Sequence, residues 1–295
     1  MLSSVFFIVN ARIGAEKTAR FTRAILEHFT DIKHEIHLTE YGGHALHLAQ
    51  RAVAEESSLV VAVGGDGTVN EVLQAVAESG VPMAIVPTGS GNGLARHCGI
   101  PLDIGQAVKL IRSGVTRAID LGKANEHYFI SNAGVGFDAW VCQRIRQTKS
   151  RGLTMYIRHV VANFFTYKAA TYSITADGKT FVEKAYFLNV ANGKEFGYGF
   201  EISPEASLED GLLDMVLVKK INLLNGARFV WDGWRKKLHR NPHCLHIRAK
   251  RFEFRAPGLT YFQTDGDAHD CEGICRIDMY PRAIHLLIPE NSPTL

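Results

Sequence analysis

Two glycine-rich segments, each directly after a short apolar run, carry the residues best suited to chemistry. The first, residues 64–71, reads Gly-Gly-Asp-Gly-Thr-Val-Asn-Glu. Glycines let a ligand approach the backbone, and the N–H groups that begin a helix bind anions. Asp66 is the exception, because a carboxylate suits a phosphate site only where a cation separates the charges. The segment therefore predicts a phosphate site with a cation, and the alternative is an ordinary turn in which Asp66 caps the helix.

A second segment of the same kind follows the apolar run Met83–Val86, with Pro-Thr-Gly-Ser-Gly-Asn-Gly at residues 87–93. In open α/β folds, ligands bind at the carboxyl ends of the strands, where such loops lie side by side. Two loops of this type are a stronger signal than one. We expect both of them to border the same ligand.

Residues 1–120 must supply the elements that position these loops. Short apolar runs alternate there with segments of helical periodicity, which is typical of a parallel, doubly wound sheet. Val5–Val9 is too short for a signal-peptide core and lacks a basic segment before it, so we predict the first strand there. The predicted strands are Val5–Val9, Glu35–Leu38, Leu59–Val63 and Met83–Val86, and the predicted helices are Glu16–Phe29, His44–Ala54, Val69–Ser79 and Ile104–Ser113.

Beyond Asp120 the pattern changes to many strands separated by polar turns. This change predicts a second, antiparallel β-sandwich domain after the α/β domain. The predicted strands are Tyr128–Ile130, Tyr172–Thr175, Tyr186–Val190, Leu213–Val218, His246–Ala249, Arg251–Phe254, Gly273–Met279 and Ile284–Ile288.

The composition limits the classes of function. The chain has 295 residues, of which 46% are hydrophobic and 21% charged, as in an ordinary globular protein of two domains. A net charge of +3 is too small to indicate nucleic acid as a partner. Five scattered cysteines indicate a reducing compartment, so we expect a cytoplasmic protein. No apolar run approaches the roughly 20 residues that a membrane span requires.

Three motifs in order resemble the diacylglycerol kinase catalytic family. They are GGDGTVNE at 64–71, PTGSGNGLAR at 87–96 and ASLEDGLLDMVLV at 206–218. The family includes bacterial soluble lipid kinases and is related to the sphingosine and ceramide kinases. The resemblance implies a lipid kinase that uses ATP and Mg²⁺ in lipid metabolism, such as phospholipid biosynthesis. NAD kinases share the first motif, so an NAD kinase is one alternative, and a family member that only binds nucleotide or lipid is another.

The resemblance also implies a domain plan of the type shared by NAD kinases and diacylglycerol kinases. A doubly wound α/β nucleotide domain comprises residues 1–122 and a returning segment of about 284–295. An antiparallel β-sandwich that binds the lipid comprises residues 123–283.

The resemblance assigns nucleotide contacts to both glycine-rich segments and to the ends of the first two strands. Asn10 and Gly14 match a family segment that usually reads Asn-Pro-x-Ser-Gly, although Ala11 and Ile13 replace its Pro and Ser. The implied nucleotide-binding set is Asn10, Gly14, Thr39, Gly65, Asp66, Gly67, Thr68, Asn70, Glu71, Gly89, Ser90 and Asn92.

A second Mg²⁺, with a structural role, is implied at the segment 207–212, where main-chain carbonyls act with Asp210. The implied ligands there are Ser207, Asp210 and Leu212, and Asp120 matches a linker carboxylate that joins the Mg²⁺ network. The alternative is a simple Asp-Gly hairpin turn.

The catalytic base remains open between three carboxylates. The family carries Asp-Gly-Glu near the C-terminus, with the Glu as proton acceptor, and here the segment reads Asp265-Gly266-Asp267. Asp267 has the right chemistry but is one methylene shorter than Glu. Asp265 could share the role, since a like-charged neighbour raises a carboxyl pKa. Asp66 is the third candidate, because the matching Asp is catalytic in sphingosine kinases.

The expected substrate is a hydroxyl of a diacylglycerol-like or sphingoid lipid. The segment Gly-Ser-Gly-Asn at 89–92 is closer to the sphingosine and ceramide kinases than to bacterial diacylglycerol kinases. Asp138 aligns with a carboxylate that binds the sphingoid headgroup in those relatives, and a carboxylate pairs well with an amine.

Two stretches, Trp140–Tyr167 and Leu223–His239, combine aromatic and basic residues at helical spacing. Such helices suit an anionic membrane surface, and the alternative is a helix that packs its apolar face on the sandwich with a solvated basic face. We expect transient contact with the inner face of the membrane, and a homodimer is a possible assembly.

Overall fold

The computed structural model describes residues 3–146, 158–160, 162–164, 166–197, 200–219 and 223–292. The chain divides into two compact units, residues 1–119 with 282–295 and residues 120–281. The centre of the first basic stretch, residues 147–157, lies outside the described residues. None of the described helices is both long enough and apolar enough to cross a membrane.

The first unit is built on a parallel sheet whose strands run in the order β2-β1-β3-β4. These strands are β1 (Ser4–Val9), β2 (Lys33–Leu38), β3 (Leu59–Gly64) and β4 (Met83–Pro87). The helices are α1 (Ala15–His28), α2 (His44–Ala54), α3 (Asp66–Val76), the short α4 (Gly93–His97) and α5 (Ile104–Ser113).

Helices cover both faces of this sheet, and the burial of the strands follows from that. Every residue of β3 and β4 is buried, as in strands enclosed on two sides. On one face, Phe7 meets Phe21 of α1 edge-on at 5.6 Å, and Ile111 of α5 belongs to the same core. The doubly wound α/β domain predicted from the sequence is confirmed.

Among its described residues, the second unit contains two larger antiparallel sheets and a small two-stranded one. Its elements are β5 (Val115–Ala124), β6 (His127–Phe129), β7 (Asn132–Gly136), α6 (Phe137–Arg146), β8 (Ala170–Ala176), β9 (Lys179–Ala185), β10 (Phe187–Ala191), β11 (Glu195–Gly197), β12 (Phe200–Glu201), β13 (Leu213–Val218), α7 (Leu223–Trp234), β14 (Cys244–Ala249), β15 (Arg251–Arg255), β16 (Tyr261–Thr264), β17 (Asp267–Asp270) and β18 (Ile274–Ile288). One sheet has the order β14-β13-β10-β7-β16-β17, and the other contains β8, β9, β15 and the first part of β18.

A buried apolar core lies between these two sheets, with Val135, Leu188 and Met215 from the six-stranded sheet and Phe254 and Ile277 from the other. The predicted β-sandwich is therefore confirmed. The opposite face of the six-stranded sheet carries a second cluster, in which Phe137 and Val141 of α6 pack on Phe187 and Val216.

The strands differ from the sequence prediction in several places, since β5, β7, β9, β11 and β12 were not predicted, and two further differences involve β16 to β18. The segments 273–279 and 284–288 were expected as separate strands, yet β18 is continuous, because Arg282 absorbs an irregularity at φ 53° without breaking the strand. The hairpin β16–β17 was not predicted at all. Its turn is Asp265-Gly266, with φ of 49° and 89°, the two-residue turn for which Asp-Gly is a preferred sequence.

Candidate functional site

The first glycine-rich loop connects β3 to α3 and packs tightly on its own helix. A Cβ added to Gly64 would lie 2.4 Å from Cβ of Thr68, so only glycine fits there. Thr68 is buried, and its Oγ1 accepts a hydrogen bond from Asn10 Nδ2 at 2.9 Å. Asn10 directly follows β1, and its Oδ1 accepts from Arg12 N at 2.9 Å. The ends of β1 and β3 are thus joined through Asn10 and Thr68.

Asp66 connects the two glycine-rich loops. Its Oδ2 accepts a hydrogen bond from the backbone N–H of Asn92 at 2.9 Å, and its Oδ1 accepts from Gly93 at 2.8 Å. The cap position of α3 is Gly65, and no side chain caps this helix. The alternative in which Asp66 caps its own helix is therefore wrong, because both of its oxygens bind the second loop.

The backbones of the two loops touch where both are glycine. A Cβ on Gly89 would lie 2.6 Å from Cα of Gly65, and a Cβ on Gly91 would lie 2.6 Å from Oδ2 of Asp66. Glycine is therefore required at Gly89 and Gly91 by the close approach itself. The expected placement of two loops side by side at the carboxyl ends of β3 and β4 is observed.

Asn92 shapes the second loop from within. It adopts the left-handed conformation at φ 53°, which Asn tolerates better than most residues. Its Oδ1 accepts from Gly89 N at 3.0 Å, and its Nδ2 donates to Gly89 O at 2.9 Å. Since the side chain is buried and bonded to its own loop, Asn92 holds the loop backbone in place, while Ser90 is exposed at the tip.

Two other residues of the expected nucleotide set have partners within the protein. Glu71 binds the start of α2, where Oε1 accepts from Gly43 N and Oε2 from Ala45 N, both at 3.0 Å. Thr39 Oγ1 accepts from Ala11 N at 3.3 Å. The structure therefore gives Glu71 a helix-capping position and Thr39 a position beside the first loop of the unit. Of the remaining residues, Gly67 is exposed in the first turn of α3, Asn70 accepts from Gln74 at 3.3 Å, and Gly14 precedes α1 at φ 86°.

Lys17 is a candidate that the sequence reasoning missed. Its Nζ donates to the carbonyl of Thr88 at 2.5 Å, which brings an ammonium group to the base of the second glycine-rich loop. A cation in that position suits an anionic ligand. The sequence did contain a signal for Lys17. It lies in the first turn of the helix predicted after Gly14, and that turn begins beside the carboxyl ends of the strands that carry the glycine-rich loops.

The second unit carries the remaining candidate carboxylates, and two of them flank the β16–β17 turn. Asp265 accepts three backbone hydrogen bonds, from Ile130 at 3.0 Å, Ser131 at 2.9 Å and Asn132 at 3.1 Å. These bonds tie the turn to the strand β7. Asp267 begins β17 and is exposed. The two acidic residues of the turn therefore have different surroundings, one enclosed by N–H donors and the other facing solvent.

A pair of histidines supports the same hairpin. The rings of His127 and His269 stack at 3.8 Å between centroids, and Thr264 Oγ1 shares a hydrogen bond of 2.8 Å with His269 Nε2. Burial, then the neighbouring His127 and Arg146, lowers the pKa of His269 to about 4. His269 is therefore neutral near pH 7 and packs beneath the turn as an uncharged ring.

Asp138 lies in a buried polar cluster on the six-stranded sheet. Its Oδ1 accepts from Ala139 N at 2.8 Å, and its Oδ2 accepts from Gln263 Nε2 at 3.3 Å and Asn189 Nδ2 at 3.5 Å. A Cβ on Gly134 would lie 2.3 Å from Oδ2, so the carboxyl group rests directly on a glycine of β7. Burial raises the pKa of Asp138 to about 7, against the lowering effect of these hydrogen bonds.

Sequence profiles of two domains match this chain. The diacylglycerol kinase catalytic domain matches residues 4–124, and the YegS C-terminal NAD kinase beta sandwich-like domain matches residues 131–288. A probable lipid kinase YegS-like protein of Yersinia enterocolitica is 31% identical over 268 residues, 88% of each chain. The chain belongs to the diacylglycerol kinase family. A diacylglycerol kinase of Bacillus subtilis is 29% identical over 292 residues, 96% of each chain.

Solved structures show the same fold as this diacylglycerol kinase family member. A diacylglycerol kinase structure from Bacillus anthracis has a TM-score of 0.76 at 23% identity, over 98% of this chain and 97% of that one. An NAD kinase from Archaeoglobus fulgidus in complex with ATP has a TM-score of 0.55 at 15% identity, over 97% of this chain and 94% of that one. The NAD kinase alternative therefore has only a distant likeness of fold behind it.

The loop that the family resemblance assigns to a structural Mg²⁺ is closed by an ion pair. Asp210 Oδ1 accepts from Leu212 N at 3.0 Å, and its Oδ2 binds the guanidinium of Arg248, which also lies 3.3 Å from Asp214 Oδ1. The described residues contain no group of three or more His, Cys, Asp or Glu side chains placed to hold a metal. A Mg²⁺ ion at this loop would compete with the guanidinium of Arg248 for the carboxylate of Asp210, and the implied site, which uses main-chain carbonyls, stays a prediction.

Asp120 braces this loop from the side. It is 1% exposed, its Oδ2 accepts from Gly211 N at 2.7 Å, and its own N–H donates to Leu208 O at 2.7 Å. Ser207 Oγ accepts from Glu209 N at 3.2 Å within the loop. Thus Asp120, Ser207, Asp210 and Leu212 lie at one loop, which is held by hydrogen bonds to its backbone N–H groups and by the ion pair of Asp210 with Arg248.

Proposed function

We propose that this protein transfers the γ-phosphate of ATP to a free hydroxyl of a diacylglycerol-like or sphingoid lipid. The observation that carries the proposal is the Asp66 connection, which holds two glycine-rich loops together at the carboxyl ends of β3 and β4. N–H groups at the start of a helix lack partners within it, so the first turn of α3 presents donors where a phosphate would lie. ATP enters as its Mg²⁺ chelate, and the cation is then part of the substrate.

We assign binding and orientation of the phosphates to the first unit. Lys17 contributes a positive charge beside Thr88, and the first turn of α3 is open at Gly67, where an added Cβ would meet nothing within 4 Å. Phosphoryl transfer depends on such positioning and on neutralisation of charge more than on covalent chemistry.

Asp267 is the residue to which we assign acceptance of the hydroxyl proton. Asp265 holds the turn through three backbone N–H groups, and Asp66 holds the two glycine-rich loops together, so we assign structural roles to these two carboxylates. Asp267 is exposed at the end of a rigid two-residue turn, where a substrate hydroxyl can approach it. Because the side chain of Asp267 is short, its distance from the substrate hydroxyl depends on the position of the turn.

The surroundings of Asp138 favour a neutral headgroup over an amine. The carboxyl group is only 3% exposed, and both of its oxygens already accept hydrogen bonds from within the protein, which leaves little access for a sphingoid ammonium group. A diacylglycerol-like alcohol is therefore the preferred substrate class. A sphingoid lipid is the second candidate, favoured by the Gly-Ser-Gly-Asn segment and by the presence of Asp138 itself.

The test is transfer of labelled γ-phosphate from Mg·ATP to micellar diacylglycerol, monoacylglycerol, sphingosine, ceramide and phosphatidylglycerol, with NAD alongside. Label in a lipid names the hydroxyl, label in NAD overturns the proposal, and nucleotide binding without any label indicates a binding protein. Asp267→Asn should lose turnover by about 100-fold or more. Asp270→Asn is the matched control, because Asp270 is an exposed carboxylate on the same hairpin.

A further inference from the structure

Helix α7 is attached to the second unit by one face. Phe229 meets Phe187 edge-on at 5.7 Å and lies 5.6 Å from Phe200. A Cβ on Gly233 would lie 2.2 Å from the ring of Phe200, so glycine is needed for the helix to approach this closely. These contacts are enough to hold an amphipathic helix on a sheet.

A second apolar face of the same helix is exposed. Val230 is 43% exposed, Trp231 is 59% exposed and Trp234 is 62% exposed. Residues three and four apart lie next to each other on a helix, so these side chains form one patch. We call the patch of Val230, Trp231 and Trp234 the tryptophan face. Packing on the sandwich does not account for it, because Phe229 and Gly233 already supply that contact.

The tryptophan face is bordered by positive charge. The guanidinium of Arg235 lies 5.6 Å from the ring centroid of Trp231, and Lys237 and Arg240 are exposed just beyond the helix. The acidic residue of this helix, Asp232, is turned toward Arg228 at 3.4 Å and Asn241 at 2.9 Å. The charge next to the exposed rings is therefore positive.

We propose that the tryptophan face docks on the surface of an anionic phospholipid bilayer. Tryptophan rings are favoured at the boundary between headgroups and acyl chains, and lysine and arginine attract anionic headgroups. A second copy of this chain fits less well, because it would bring Arg235 and Lys237 against their own counterparts. The docking does not depend on the kinase reaction proposed above, and it can be measured in the absence of ATP.

The experiment is co-sedimentation of the full chain with vesicles of phosphatidylcholine alone and of phosphatidylcholine mixed with phosphatidylglycerol in equal parts. Binding to the anionic vesicles is expected, and Trp231→Ser with Trp234→Ser should weaken it by about tenfold or more. Arg235→Gln with Lys237→Gln should weaken binding by about fivefold for each charge at low salt, since each basic residue is worth about 1 kcal/mol near such a surface. This difference from the native chain should shrink as salt rises, because salt screens the attraction.

The matched control is Leu26→Ser with Val182→Ser, two other apolar residues that are 68% and 65% exposed. Equal loss of binding in the control and tryptophan variants overturns the proposal, as does unchanged binding in the tryptophan variant. Sedimentation velocity without lipid tests whether a second copy of the chain covers the tryptophan face instead. A native dimer that dissociates in the tryptophan variant would show this and would overturn the proposal. Phosphorylation of a short-chain, monodisperse lipid should be equal in all variants, which separates docking from catalysis.

Discussion

Gln263 donates a hydrogen bond from Nε2 to Oδ2 of Asp138 at 3.3 Å, while its Oε1 accepts from the backbone N–H of Gly266 at 2.9 Å. One buried amide therefore connects the polar cluster inside the second unit to the turn that carries Asp267. Gln263 is 1% exposed and also donates to Asn132 Oδ1 at 2.8 Å, so its orientation is determined on every side.

Gln263→Leu should lower kcat by about tenfold with little change in KM for ATP, because the turn would lose its anchor while the first unit is untouched. It should also lower the free energy of unfolding by about 1 to 3 kcal/mol, since a buried acceptor on Asp138 loses a donor.

Gln263→Glu retains the acceptor for Gly266, and a protonated Glu can donate to Asp138. Its turnover should recover as pH falls, and a kcat independent of pH in this variant would contradict a positioning role.

Asp66→Asn should reduce kcat/KM for phosphoryl transfer by about 100-fold. An amide can accept one of the two backbone hydrogen bonds but faces the other N–H with its own donors, so the two loops separate locally. Calorimetric titration with a non-hydrolysable ATP analogue should show weaker binding to the variant than to the native chain. Asp103→Asn is the control, because Asp103 Oδ1 accepts from Gln106 N at the start of α5 and Asn caps helices equally well. A similar loss of kcat/KM in both variants would contradict the role of Asp66 in holding the two loops together.

Asp138 should make the protein less stable as pH rises. Burial raises its pKa from 3.8 to about 7, so the folded protein binds the proton more tightly than the unfolded chain does. This contribution is fully present below about pH 4 and is lost as pH rises through 7. At full effect it amounts to as much as about 4 kcal/mol. Asp138→Asn should therefore gain stability relative to the native chain at pH 8 more than at pH 5, measured by urea unfolding, and a pH-independent difference would contradict this assignment.

Arg248→Ala should destabilise the second unit by about 1 to 3 kcal/mol, because the buried Asp214 would lose its cation. Burial raises the pKa of Asp214 and the charge of Arg248 lowers it, so the carboxyl group depends on this partner. Millimolar Mg²⁺ should raise the melting temperature of the variant but not of the native chain. Arg251→Ala is the control, since Arg251 is 80% exposed and pairs with Asp278 at the surface. Stabilisation of the native chain by Mg²⁺, abolished by chelator, would show that a cation binds despite Arg248.

The fold and the candidate residues of the first unit could be predicted because they follow from local patterns. The apolar runs Leu59–Val63 and Met83–Val86 are buried strands, and each glycine segment can only be a loop at the end of its strand. The bonding of Asp66 could not be predicted in the same way. Its partners, Asn92 and Gly93, depend on how closely two strand ends pack, and that information is tertiary.

The candidate residues of the second unit were harder to predict because turns and functional sites use the same residue types. The Asp-Gly at 265–266 was interpreted through its family motif, although it is also the signal of a two-residue hairpin turn. In the same way, Asp210 was expected to bind Mg²⁺, and its pairing with Arg248 depends on the register between β13 and β14, where Asp214 lies opposite Arg248. Charges brought together by strand pairing leave no local pattern in the sequence.

The chain contains only three tryptophans, and two of them lie on the exposed face of α7. The third, Trp140, is partly buried beneath the guanidinium of Arg144, which lies 4.6 Å from its ring centroid. The emission spectrum of the unlabelled protein is therefore dominated by indoles in water at a single helix. Ultraviolet fluorescence then acts as an optical reporter for that one surface, and a shift in its wavelength or polarisation would report a change at α7 without any added label.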